Sequence, residues 1–161
     1  MSMDIGHLIS ELSDWNNGTG ITVESWISGI GRYDHFLGYI SIVWPEFILY
    51  DDCVFRSSPD PKTYHGFMEM FHGNKMEVER VMNHEHVADM FMNKEFSLTE
   101  EIVIFIGTRL QQMWSCKLSR DFPGRIFTVE FITDKQSDEV EEDPLLRYMV
   151  TFSCHAAQRR S

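Results

Sequence analysis

His65, Glu69 and His72 fall at i, i+4 and i+7, so a helix over this stretch would carry all three on one face. Imidazole and carboxylate together suit a divalent transition metal such as zinc, iron or manganese. Glu69-x-x-His72 also has the spacing that carboxylate-bridged di-iron helices use. A di-iron centre asks for a second E-x-x-H and two further glutamates, and the sequence supplies no such set. A single ion remains feasible, with His86 taken from the next segment as a further ligand and Glu79 or His35 as alternatives. The competing reading of the same residues is a polar helix flank in water.

His84-Glu85-His86 has the composition of a ligand cluster. On a helix, residues two apart point about 200° away from each other, so the two imidazoles could not share an ion. The tripeptide becomes a chelator only if its segment is not helical. Cys53, Cys116 and Cys154 are widely separated and form no C-x-x-C, which argues against a disulfide scaffold or a zinc ribbon and for a reducing cytoplasm. Asp51-Asp52 would raise the Cys53 thiol, a late-helix position would disfavour a Cys116 thiolate, and neighbours on a strand such as Cys154 and His155 point apart. All three thiols are expected to be small buried residues. Gly29-Ile-Gly31 is followed by Asp34 where a dinucleotide fingerprint needs glycine, and neither a phosphate loop nor a G-x-S-x-G elbow occurs.

Charge limits the partners. The 161 residues hold 25 acidic and 14 basic side chains, for a net charge of −11. Such a chain is repelled by nucleic acid and by anionic membrane, so neither is expected as a partner. The densest acidic run is Asp138, Glu139, Glu141, Glu142 and Asp143. It lacks the alternation of a calcium loop, and it is read either as a solvated loop or as a docking surface for a basic protein partner. The first residues carry no basic stretch ahead of an apolar run, which fits a cytoplasmic location.

These residues must be positioned by elements legible in the pattern. Ile5, Leu8, Ile9, Leu12 and Trp15 keep helical spacing until Asn16-Asn-Gly-Thr-Gly20 stops them. Trp26, Ile30, Tyr33, Leu37 and Ile40 continue that period, with Thr22 as the N-cap, and predict one helix up to Trp44-Pro45. The aromatics Trp26, Tyr33, Phe36, Tyr39, Trp44 and Phe47 crowd this stretch; core packing is the expected role, with a homodimer or partner surface as the second reading. Phe47–Tyr50 and Cys53–Phe55 flank Asp51-Asp52 as a short hairpin. Tyr64, Phe67, Met68 and Phe71 mark a helix interrupted at Gly73-Asn74, and a second one runs from Met76 to about Phe91. Ser97-Leu-Thr-Glu100 reads as a capping box opening a helix through Trp114, and Ile126–Ile132 and Leu145–Cys154 alternate as strands.

The fold class is therefore α+β, with about five helices packed on a small antiparallel sheet and a C-terminal β-hairpin, expected as one domain over residues 1–161. No complete catalytic constellation stands out in the sequence. The expected function is a non-catalytic binding module for a basic protein, of an inhibitor or immunity-like kind. The alternative is a metal-dependent enzyme built on the His65/Glu69/His72 face.

Overall fold

A computed structural model describes residues 5–91, 98–133 and 145–155, and the fold is α+β. The chain divides into two compact units, Met1–Ile42 and Val43–Ser161.

In the first unit the expected helix over residues 5–15 is instead a pair of tight 3-10 turns, Ile5–Leu8 and Ser10–Ser13. Asn16 and Asn17 then take left-handed backbone angles (φ 54° and 55°). Such angles cost asparagine little, and they end the segment where the sequence predicted. The single helix expected from residue 22 to 43 is two: α1, Val23–Ile30, and α2, Tyr33–Val43. Thr22 caps α1 as expected, its Oγ1 accepting from Ser25 N at 3.2 Å. The break falls at Gly31, whose backbone is extended (ψ 136°) and stands so close to the Ile27 carbonyl that a Cβ would collide with it. A glycine there costs the helix about 1 kcal/mol and permits the close approach that ends it.

In the second unit, β1 (Ile48–Tyr50) and β2 (Cys53–Phe55) pair antiparallel around Asp51-Asp52. Both aspartates have positive φ (47° and 63°), the requirement of a two-residue type I′ turn. Next come α3 (Pro61–Met70) and α4 (Lys75–Met82), then the two-residue β3 (Glu85–His86). α5 (Glu100–Asp121) follows, and the last elements are β4 (Ile126–Ile132) and β5 (Met149–His155). The second sheet has the order β3-β5-β4, with β4 and β5 paired over seven residues from Ile126↔His155 to Ile132↔Met149.

Strand β5 is central, and Val150 and Phe152 are fully buried on its core face. Phe152, Trp114 of α5 and Phe47 meet edge to face, with ring centroids 5.1–6.4 Å apart. Val103, Leu110 and Leu118 complete the buried stripe of α5 at the helical period. The N-cap of α5 is Thr99, whose Oγ1 accepts from Ile102 N at 3.3 Å, so Glu100 is the first helical residue rather than the reciprocal partner in a box. Ser97 lies outside the described residues.

Gly107 lets α5 approach β4, because a Cβ there would overlap the ring of Phe131. Alanine in a helix is worth about 1 kcal/mol over glycine, but overpacking of a core costs about 1–3 kcal/mol. Gly107→Ala is therefore expected to lower the unfolding free energy in urea by up to about 2 kcal/mol, and Gly107→Ala/Phe131→Leu to recover most of it. A more stable single variant would show that the ring yields freely.

Candidate functional site

The site begins with α4, where Glu79 and Asn83 are spaced i, i+4 and are both buried (1% and 2% exposed). Glu79 Oε1 accepts from Val54 N at 2.6 Å and Oε2 from Cys154 N at 2.5 Å. Asn83 donates Nδ2 to Val54 O at 2.9 Å and accepts from Arg56 N at 3.0 Å through Oδ1. Two side chains thus do for the outer edge of β2 what a neighbouring strand would do, and Glu79 ties that edge to β5. Burial pushes the Glu79 carboxyl up, against the two amide donors that hold it down.

Around this clasp lies a cleft of about 560 Å3, lined among others by Asp52, Lys75, Glu79, Arg125, Cys154 and His155. Its charges are paired. Arg125 Nη2 bonds Asp52 Oδ1 at 2.5 Å and Nη1 bonds Asp52 O at 2.8 Å, while Lys75 Nζ bonds Asp51 O at 2.5 Å. The Tyr64 hydroxyl donates to Asp51 Oδ2 at 2.7 Å; burial first, and then this bond, push the phenol up, and the same bond holds the carboxyl of Asp51 down. Burial raises the Cys154 thiol, which stands half-buried, and Cys53 is raised by the same cause and fully buried. Neither is an activated nucleophile. Cys116 is exposed rather than buried, since it falls outside the Val103/Leu110/Trp114/Leu118 stripe of its helix.

The predicted metal face is not assembled. α3 ends at Met70, and His72 lies beyond it at φ 51°, so His72 no longer continues the row of His65 and Glu69. His65 turns its Nδ1 back to the Pro61 carbonyl at 2.6 Å and is exposed, as are Glu69 and His72. His86 is on β3, opposite Met149. Among the described residues no group of three or more His, Cys, Asp or Glu side chains is placed to hold an ion. The acidic run Asp138, Glu139, Glu141, Glu142 and Asp143 lies outside the described residues.

Two features escaped sequence reading. The helix expected to run to Phe91 stops at Met82, where the C-cap Asn83 leaves helical backbone angles (φ −102°, ψ 5°) and its side chain bonds β2. Glu85-His86 is a strand and His84 lies outside any helix, and the two imidazole rings come together with centroids 5.3 Å apart. The second feature is the aromatic stretch, expected in the core. Tyr33, Phe36, Leu37 and Ile40 are 82%, 65%, 61% and 38% exposed, and no residue of α1 or α2 is buried. Only the outer members of the stretch are partly covered. Trp26 Nε1 donates to Glu11 Oε2 at 3.2 Å, Trp44 lies under Lys117 and Arg120, and Phe47 joins the Trp114 cluster.

No protein-family model, no curated protein and no solved structure matches the chain. Among the described residues no helix is long and apolar enough to cross a membrane.

Glu79→Ala would leave the Val54 and Cys154 amides without acceptors, at an expected cost of about 2–5 kcal/mol in urea unfolding. The pH dependence has a definite sign. A carboxyl raised in the folded state contributes stability that is fully present below its ordinary value of 4.5 and is lost as pH rises through the folded value. The gap between wild type and Glu79→Ala is therefore expected to be widest below pH 4.5 and to narrow toward neutrality. A gap that widens with pH would mean the amide donors outweigh burial.

Proposed function

We propose that the chain is a non-catalytic binding protein that docks a basic protein partner, as an inhibitor or immunity-type protein does. One observation carries this reading: Tyr33, Phe36, Leu37 and Ile40 stand at i, i+3, i+4 and i+7 on α2 and are all exposed. An apolar stripe at that spacing is the form in which a helix is recognised by a protein groove. Covering one such side chain is worth roughly 1.5–3 kcal/mol, so a stripe of them left in water calls for a partner.

Two further features support a basic protein over other partners. A helix that lies on a membrane carries lysine or arginine on its polar face, and α2 has neither; its one formally charged residue is Asp34. The net charge of −11 also favours encounter with positive surfaces, and such steering can raise association rates from about 10⁵–10⁶ toward 10⁸ M⁻¹s⁻¹ at low salt. Asp138, Glu139, Glu141, Glu142 and Asp143 are the proposed steering residues.

The test is quantitative pull-down from the source cells with wild type and with Tyr33→Asp/Leu37→Asp, the retained proteins identified by mass spectrometry. The expected outcome is a basic protein held at low salt, released by salt, and not held by the variant, whose melting temperature is unchanged. Retention of the same protein by the variant would contradict the reading. So would a wild-type homodimer that the variant dissolves, since the stripe would then be covered by a second copy.

A further inference from the structure

Beyond the C-cap Asn83 the chain enters β3 beside β5, and three soft or borderline donors gather at one cleft. His86 is the register partner of Met149, and His84, two residues before it, brings its ring beside that of His86. His84, His86 and Met149 all line a cleft of about 240 Å3, together with Arg80, Val81, Ile132 and Thr151.

The tautomer of each ring follows from the carbonyl it faces. His84 Nδ1 faces the Val81 carbonyl and His86 Nδ1 faces the Leu146 carbonyl. A carbonyl only accepts, so each neutral ring carries its proton on Nδ1 and leaves the Nε2 lone pair for a ligand. A backbone carbonyl holding the second nitrogen is the arrangement that orients metal-binding histidines. Spacing agrees with it. The ring centroids are 5.3 Å apart at 87°. A metal–nitrogen bond of about 2.0 Å places each centroid about 3 Å from the ion, so two imidazoles on one trigonal or tetrahedral ion have centroids about 5–5.5 Å apart.

We propose that His84, His86 and Met149 form a binding site for monovalent copper. Two neutral imidazoles and a thioether are a soft, uncharged donor set, and thioether selects Cu(I) among the first-row ions. Structural zinc asks for four ligands from Cys, His, Asp and Glu, and this cleft offers two. An anion is disfavoured because both Nε2 atoms present lone pairs and the Thr151 hydroxyl already donates to Arg80 O at 2.5 Å. The Arg80 guanidinium at the rim is countered by Glu130, with Nε 3.3 Å from Oε2, so the cleft holds no uncompensated positive charge that would repel the ion. Glu85 belongs to the other face of β3, where it pairs with Arg56.

The experiment is an anaerobic titration of Cu(I) into the full chain carrying Cys116→Ser, which removes the exposed thiol. NMR of methyl-labelled methionine and of the histidine rings reads the site directly. The expected result is saturation at one equivalent, with the Met149 methyl and the His84 and His86 rings shifted. In competition with a Cu(I) chelator, His84→Gln should weaken binding about 100-fold and Met149→Leu about tenfold, the latter conserving core volume. A Met149 methyl that does not move at one equivalent, or uptake that His84→Gln leaves unchanged, would overturn the proposal. The wild-type rings and methyl decide this even if a variant folds poorly.

Discussion

A carboxylate with almost no contact with water fixes the second unit of this protein. An ion taken out of water costs several kcal/mol unless its lone pairs are met, and Glu79 meets part of that demand with the amides of Val54 and Cys154. The arrangement works because β2 is buried along its whole length while its outer edge has no neighbouring strand among the described residues. Left alone, Val54 N–H, Val54 C=O and Arg56 N–H would be orphaned in the core. Glu79 and Asn83, one helical turn apart, satisfy all three and add the Cys154 amide of the second sheet. Removing either side chain exposes the same problem from the other side, so the helix, the hairpin and the β5 edge depend on one another.

The consequences extend past the clasp. Asn83 is both the C-cap of α4 and a partner of β2, and from it the chain turns into β3. That turn is what brings His84 and His86 together beside Met149. The larger cleft near Arg125 and Lys75 is by contrast lined by charged groups that pair with one another. Function on this reading lies in surfaces and soft donors instead of an acid–base pair. The exposed stripe of α2 is the larger of these features, and it lies in the first unit.

Much of this was legible in the sequence where the signal is local. Asp51-Asp52 between apolar triplets announced its hairpin, since aspartate tolerates positive φ. The period of α5 is legible because it buries one stripe in the core, and the alternation of β4 because Phe127 and Val129 are partly covered while Ile126 and Thr128 are exposed. The failures share a different cause. Met82 looked like mid-helix because Val78, Val81 and Met82 keep the stripe, and nothing local reveals that Asn83 is claimed by a strand 29 positions away. Spacing alone puts His72 on the His65 and Glu69 row, although Gly73 beside it (φ 78°) is the type of residue that closes a helix. The aromatics of α2 read as core because they crowd one helical stretch, a pattern that reports apolar character and not which side of the helix is covered.

Native-state amide hydrogen exchange tests the clasp most directly, because it reads the bonds themselves. If Glu79 and Asn83 act as a substitute strand, the amides of Val54, Arg56 and Cys154 exchange only through global unfolding, as slowly as Val150 and Phe152 in the centre of the second sheet. Exchange of Val54 and Cys154 within minutes, while the β4–β5 ladder stays protected, would contradict the account and leave the two sheets held by apolar packing alone.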